Sequence, residues 1–241
     1  RLRAAGFSGV ELNIADPFSV DWADLFALLK DHVLAMFRFA SGLTAKTRSL
    51  SLSAADAESR RQSVAACRQM VRALAGTETG IILGFFKGPV AADRDGARGR
   101  FAQSLAELVP DAAEHRVPLV VEATNRYESS VANSLDDTAA LLPQTDARGR
   151  WAQILPDTFH MNIEERDTPG ALVRHAALFS SIHLSDNNRL FPGFGAIAFG
   201  PIIGTLRRIG WKGFLAIEGN LVDGLAADAR TAVEALAPHL T

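Results

Sequence analysis

The chain has 241 residues, of which 48% are hydrophobic and 22% are charged, and both fractions are typical of a folded globular protein. Its 25 Lys and Arg against 27 Asp and Glu give a net charge of -2, which provides no basic excess for binding a nucleic acid backbone. The apolar stretches are far shorter than the roughly 20 residues that a membrane-spanning helix requires. We therefore expect neither a nucleic acid nor a membrane as a partner.

Strand and helix patterns alternate along the whole chain, after a start at residues 1–6 that has the pattern of a helix end closed by a glycine. The strands are predicted at residues 10–14, 33–40, 79–86, 118–123, 153–157, 181–185 and 214–218. The helices are predicted at residues 21–31, 54–74, 96–115, 134–142, 169–177, 199–209 and 221–236, with Ser53 and Thr168 expected to cap two of them. Strict alternation of this kind predicts parallel strands joined by helical crossovers.

The pattern also predicts a single domain over residues 1–241, because no linker rich in Pro, Gly or Ser divides the chain. Seven βα units are visible, whereas a closed (β/α)8 TIM barrel has eight. The helix end at residues 1–6 lies where a first unit would finish. We therefore expect an α/β TIM barrel from which the first β-strand and helix, about 25 to 35 residues, are missing.

Cys67 is the only cysteine, so the chain can form no internal disulfide bond. Within a helical pattern, a single cysteine is most simply a small buried hydrophobic residue. A chain without disulfides is typical of a reducing compartment, and we expect a cytoplasmic protein.

Side chains that can bind a metal ion end the last four predicted strands in succession. They are Glu122, Asp157, His183 and Glu218, at intervals of 35, 26 and 35 residues. Because the carboxyl ends of parallel strands open onto one face of a barrel, these four side chains are predicted to converge. Three carboxylates and one imidazole form a mostly hard donor set, which suits Mn²⁺, Mg²⁺ or Co²⁺ better than a closed structural zinc site.

A second polar side chain follows each of the first three of these residues. The segments are Glu-Ala-Thr-Asn-Arg-Tyr-Glu at 122–128, Asp-Thr-Phe-His at 157–160 and His-Leu-Ser-Asp-Asn-Asn-Arg at 183–189. With these segments the chain resembles the xylose isomerase-like TIM-barrel superfamily, and within it the D-tagatose/D-psicose (ketose) 3-epimerases. The resemblance extends over residues 6–218.

The resemblance implies roles for seven residues. In that group one divalent metal ion, for which Mn²⁺ is expected before Mg²⁺ or Co²⁺, is bound by the residues that correspond to Glu122, Asp157, His183 and Glu218. The two glutamates of this set also form the acid/base pair. The residues that contact the sugar correspond to Glu128, His160 and Arg189. The resemblance further implies a homo-oligomer, either a dimer or a tetramer.

The chemistry of these side chains agrees with the resemblance. Moving a hydrogen from the carbon next to a carbonyl requires a base, an acid and a positive charge to stabilise the enediolate, and a divalent ion lowers that energy by several kcal/mol. We therefore expect a metal-dependent epimerase that inverts C3 of a ketose. Aldose–ketose isomerisation and dehydration of a keto-sugar or cyclitol remain alternatives, because they begin with the same proton abstraction.

Two further alternatives belong to other classes of function. One is a sugar-binding barrel without turnover, and the other is a DNA repair enzyme similar to endonuclease IV, which holds three zinc ions with additional histidines. Segments 39–42 and 85–88, at the ends of two earlier predicted strands, contain no histidine. Five basic residues near the predicted mouth are expected on a solvated rim, with contact to a substrate phosphate as the alternative; they are Lys46, Arg48, Lys87, Arg94 and Arg126.

Overall fold

The computed structural model describes residues 2–145 and 147–240, and it confirms the predicted alternation of strands and helices. The strands are β1 (Gly9–Asn13), β2 (Ala35–Ala40), β3 (Gly80–Ile82), β4 (Leu119–Glu122), β5 (Ala152–Leu155), β6 (Ser181–Leu184) and β7 (Phe214–Ile217). The helices are α1 (Trp22–Asp31), α2 (Gly42–Thr47), α3 (Ala57–Ala73), α4 (Arg94–His115), α5 (Leu135–Leu141), α6 (Thr158–Glu164), α7 (Thr168–His175), α8 (Phe199–Arg208) and α9 (Leu225–Leu240).

The predicted helix end at residues 1–6 begins at Arg1, which lies outside the described residues. Within them, Arg3–Ala5 form a 3-10 turn that Gly6 closes with a φ of 94°. That left-handed backbone favours glycine, because a Cβ would meet the neighbouring carbonyl.

Aspartates begin two helices for which the sequence analysis predicted other caps. The N-cap of α3 is Asp56, which accepts a hydrogen bond from the Ser59 amide at 2.7 Å, and the N-cap of α7 is Asp167, which accepts one from the Gly170 amide at 3.0 Å. A carboxylate satisfies a free amide and also interacts favourably with the positive end of the helix dipole. The predicted caps Ser53 and Thr168 were therefore wrong.

All strand pairs are parallel, and the strands lie side by side in the order of the sequence. Strands β1 to β5 form one sheet and β6 pairs with β7, while a bridge between Asp157 and His183 joins the two sheets. Alternate residues face the inside, where an apolar layer is formed by Ala40, Ile82, Val120 and Leu155. Two residues further along β4 and β5, the same face presents Glu122 and Asp157 at the carboxyl ends.

Strands β1 and β7 line a common cavity of about 560 Å³, so the first and last strands face each other across an interval. Both strands are only half-buried, whereas β3 to β6 are fully buried. The single domain over residues 1–241 stays a prediction.

Two short helices that the sequence analysis did not predict follow strands directly. Helix α2 follows β2, and α6 begins immediately after Asp157. The predicted strand at 79–86 is also shorter than expected, because the backbone turns into a 3-10 helix at Phe85–Lys87. No helix within residues 2–145 and 147–240 combines the length and the apolar character that crossing a membrane requires.

We expect the thiol of Cys67 to react with a disulfide dye only after unfolding. Cys67 is fully buried on α3, and burial raises the pKa of its thiol to about 12, so the reactive thiolate is scarce at pH values below that. The measurement compares labelling rates at about pH 8 in buffer and in guanidinium chloride. Rapid stoichiometric labelling of the native protein would contradict this expectation.

Candidate metal centre and active site

The structure brings the four predicted metal ligands together at the carboxyl ends of β4 to β7. One ligand atom from each of Glu122, Asp157, His183 and Glu218 lies within 4.8 Å of the others. His183 Nδ1 lies 2.7 Å from Glu218 Oε2, 3.6 Å from Asp157 Oδ2 and 3.8 Å from Glu122 Oε1. The first three side chains are buried, while that of Glu218 is 41% exposed and faces the opening.

Local structure fixes the direction of two of these carboxylates. Asp157 is the N-cap of α6, and its Oδ1 accepts a hydrogen bond from the Phe159 amide at 2.8 Å, which leaves Oδ2 directed at His183. Gly84, after β3, has no side chain where a Cβ would overlap Glu122 Oε2. This glycine therefore leaves space for the Glu122 carboxylate in its observed position.

The donor set fits a divalent cation. Glu122 Oε1 and His183 Nδ1 are buried and have no hydrogen-bond partner among the described residues. Buried polar atoms are normally paired, and lone pairs that face one another without a proton between them are stabilised by a cation. Three carboxylates and one imidazole are ligands that Mn²⁺, Mg²⁺ and Co²⁺ accept.

The pKa values of Glu122 and His183 are both raised, so these two members of the cluster bind protons more readily than the same side chains do in water. Burial, and secondarily the charge of Glu218, raises the pKa of Glu122 to about 7. Burial alone would lower the pKa of His183, but the carboxylates of Glu218 and Glu11 raise it well above its usual value. Burial likewise opposes ionisation of Asp157, yet the nearby His183 imidazole and the charge of Arg189 hold its pKa well below the usual range.

His160, on α6, is a neutral hydrogen-bond donor at the pocket. Its side chain is 1% exposed, and burial lowers its pKa to about 4. The Asn125 amide donates to His160 Nδ1 at 3.2 Å, so the ring hydrogen is on Nε2, which lies 3.7 Å from Glu122 Oε1. His160 therefore presents its N–H beside the metal ligands.

Arg189 and Glu128 also lie at this pocket, as predicted. The Arg189 guanidinium donates to Asp157 and, at 2.8 Å, to Glu218, and it lies over the Phe159 ring. Glu128 accepts a hydrogen bond from Asn125 Nδ2 at 3.0 Å and lines the same pocket. All seven predicted site residues are thus close to one another.

The loop that carries Arg189 depends on Asp186, which the sequence analysis missed. Its buried carboxylate accepts hydrogen bonds from the amides of Gly193, Gly195 and Ile197 at 3.1, 2.9 and 2.9 Å. A Cβ at Gly195 would overlap the Asp186 carboxylate, so this glycine permits the close approach. The Gly-Phe-Gly segment after β6 was the sequence signal for such a turn.

Lys87 is fully buried, so its predicted place on a solvated rim was wrong. Its Nζ donates to Thr124 Oγ1 at 2.6 Å, and burial lowers its pKa to about 8 although Glu122 and Glu128 raise it. The 3-10 turn after β3 directs the side chain inward, where it provides positive charge behind the acidic cluster. Arg126, by contrast, does lie on the rim and pairs with Glu164 at 2.8 Å.

Glu11 on β1 is another residue near the cluster that the sequence analysis missed. Its Oε2 lies 2.7 Å from His183 Nε2, on the side of the ring opposite to the metal ligands. The only sequence signal is the alternation in the strand, in which Glu11 and Asn13 share a face and Asn13 lines the pocket.

Residues 1–239 match the family model described as xylose isomerase-like TIM barrel. The chain is 33% identical over 132 residues to the D-psicose 3-epimerase of Enterocloster bolteae, which covers 55% of this chain and 43% of that protein. It is 30% identical over 221 residues to the L-ribulose 3-epimerase of Mesorhizobium japonicum, and this alignment covers 90% of this chain and 72% of that protein. The match to the 3-dehydro-D-guloside 4-epimerase of Escherichia coli spans 48% of that protein, so two of these relatives are matched over less than half of their length.

Among solved structures, an L-ribulose 3-epimerase superposes with a TM-score of 0.85 at 26% identity, covering 99% of this chain and 86% of that chain. An AP endonuclease, family 2, of Brucella melitensis superposes with a TM-score of 0.81 at 18% identity over 99% of this chain and 90% of that one, which shows a shared fold alone. The predicted TIM-barrel fold is confirmed. The chain therefore belongs to the xylose isomerase-like TIM barrel family, and it is similar in sequence to sugar epimerases of that family.

Proposed function

We propose that this protein is a divalent-metal-dependent sugar epimerase that inverts C3 of a ketose. The observation that carries the proposal is the convergence of Glu122, Asp157, His183 and Glu218 within 4.8 Å, with two glutamates available for proton transfer. The names of the relatives support it, because they include a D-psicose 3-epimerase, an L-ribulose 3-epimerase and a ketose 3-epimerase.

These four residues would hold one divalent ion, with Mn²⁺ as the first candidate and Mg²⁺ or Co²⁺ as the others. A bound ion supplies the positive charge that stabilises the negative charge developing on the sugar oxygens. The partner is a small sugar. We also propose a dimer or tetramer, on the resemblance to ketose 3-epimerases, and a cytoplasmic location, on the single cysteine.

Proton transfer is assigned to Glu122 and Glu218. One carboxylate removes the C3 proton, and the other returns a proton to the opposite face of the carbon. Without a bound ion, burial raises the pKa of Glu122 to about 7; a bound cation would favour the ionised form, which can accept a proton. The charges of His183 and Arg189 outweigh burial and lower the pKa of Glu218, which is therefore ionised and ready to accept a proton.

The remaining three residues bind and orient the sugar. His160 donates from Nε2 and Arg189 from its guanidinium to oxygens on which negative charge develops. Glu128, already directed by Asn125, accepts a hydrogen bond from a sugar hydroxyl.

We expect deuterium from D₂O to appear at C3 of a ketose, together with a new C3 epimer, in the presence of Mn²⁺ and not with a chelator. Mass spectrometry and NMR of a panel of free and phosphorylated ketoses and aldoses provide the measurement. Label at C1 or C2 would move the assignment to aldose–ketose isomerisation, and label at C4 to a 4-epimerase. Absence of label and of any new product across the panel contradicts the proposal.

The purified protein is expected to bind one divalent ion per chain, because residues 2–145 and 147–240 assemble a single donor set, formed by four residues. Elemental analysis after loading and gel filtration measures the stoichiometry. Asp157→Asn should lower the occupancy, since it removes a charge from a fully buried ligand. Two or three zinc ions per chain would instead indicate a cluster of the endonuclease IV type.

Replacing Glu218 with Gln is expected to lower kcat by about 10²- to 10⁴-fold and to change KM much less, because the amide cannot accept a proton. Steady-state kinetics with elemental analysis of the same sample separates this effect from loss of metal. Glu165→Gln is the matched control, because Glu165 is half-buried and bonds the Leu135 amide. Near-normal turnover of Glu218→Gln with metal retained rules out the acid/base role.

A further inference from the structure

The imidazole of His183 is held between two different environments. Its Nδ1 faces the three carboxylates of the cluster, while its Nε2 lies 2.7 Å from Glu11 Oε2. Glu11 belongs to β1 and is 172 positions away in the chain. The contact therefore exists only because the curved sheet places β1 opposite β6.

The Glu11 side chain is directed inward by its strand. The register between β1 and β2 shifts between Val10 and Glu11, and such a bulge redirects a side chain. Leu12 packs against the apolar core between strands and helices, so its neighbour Glu11 faces the inside of the sheet. The side chain is 16% exposed, and the carboxylate is consequently removed from most of the solvent.

The hydrogen bonding of Glu11 argues against a role that is limited to stabilising the fold. Its Oε1 is buried and has no hydrogen-bond partner among the described residues, and its Oε2 bonds only the His183 ring there. The nearby Arg38 donates instead to the Phe37 carbonyl and to Ser180 Oγ. A carboxylate in this place is destabilising unless its interaction with the His183 imidazole compensates for the loss of hydration.

We propose that Glu11 is a positioning residue that fixes His183 for cation binding. An ionised carboxylate only accepts hydrogen bonds, so it holds the ring hydrogen on Nε2 and leaves the lone pair of Nδ1 directed at Asp157, Glu122 and Glu218. A carboxylate behind a metal-binding histidine also increases the basicity of the ring, and loss of such a partner typically lowers metal affinity by about 10- to 100-fold. This proposal rests on the proposed function only in one respect, namely that the four ligands bind a divalent cation.

The test is the affinity for Mn²⁺, measured by titration calorimetry on the parent chain and on Glu11→Met and Glu11→Gln. Methionine keeps the length of the side chain but cannot bond Nε2, so we expect about 10- to 100-fold weaker binding. Glutamine retains an acceptor oxygen without the charge, and its loss of affinity should be smaller. Glu165→Met, which removes a half-buried carboxylate elsewhere, should leave the affinity unchanged.

A second measurement reports the histidine directly. In the Zn²⁺-loaded parent, proton NMR should show a downfield imidazole N–H resonance that is protected by the bond to Glu11. This resonance should disappear in Glu11→Met and persist in Glu165→Met. If Glu11→Met does not fold, Glu11→Gln still tests the role of the charge.

Equal Mn²⁺ affinity, within about twofold, for the parent and a folded Glu11→Met would overturn the proposal. These outcomes are independent of turnover. Normal metal binding with the Glu11 effect and no epimerisation would contradict the proposed function alone. Epimerisation with no Glu11 effect would contradict the positioning role alone.

Discussion

The fold places three carboxylates close together around one imidazole. Their mutual repulsion is the constraint on which the rest of the site depends. Glu122, Asp157 and Glu218 lie at the carboxyl ends of β4, β5 and β7, and His183 lies on β6, between the last two of these strands. In a mostly buried place this arrangement is unfavourable without positive charge. The high pKa of Glu122 and of His183 and the position of Arg189 across two of the carboxylates are consequences of that one constraint.

The surrounding structure restrains the cluster from several sides. Helix α6 begins at Asp157 and orients its carboxylate, while Gly84 leaves space for Glu122. Asp186 organises the loop that delivers Arg189. An apolar layer lies below the ligands inside the sheet, and it excludes water from their lower side. Charges beside such a layer interact more strongly than charges in water, and small displacements of a ligand then have large effects.

Positive charge also lies behind the cluster. Lys87 is fully buried and bonds Thr124, close to the carboxylates of Glu122 and Glu128. Glu11 occupies the opposite side, behind His183. The Glu11 carboxylate raises the pKa of His183, and the carboxylates of Glu122 and Glu128 raise that of Lys87 against the larger effect of its burial. The pKa values of Glu122 and Glu218 shift in opposite directions because burial, and secondarily the charge of Glu218, raises that of Glu122, whereas the charges of His183 and Arg189 outweigh burial and lower that of Glu218.

The sequence by itself determined the fold class, and it identified the four candidate ligands and the three candidate sugar-contacting residues. Strand ends of parallel βα units must open on one face, so the position of Glu122 or His183 follows from topology without any knowledge of side-chain packing. The exact starts of the helices were harder to predict, because Ser53 and Asp56 are both residue types that cap helices well, and the structure has Asp56 as the cap of α3.

Only the tertiary structure revealed Glu11, Lys87 and Asp186. Glu11 meets His183 across 172 residues, and Lys87 meets Thr124 across 37, through contacts that no local pattern encodes. A charged residue in a short strand or turn has the same local signature whether it points to solvent or to the interior. Its direction is set by the curvature of the sheet and by the turn that follows, and these are properties of the assembled fold.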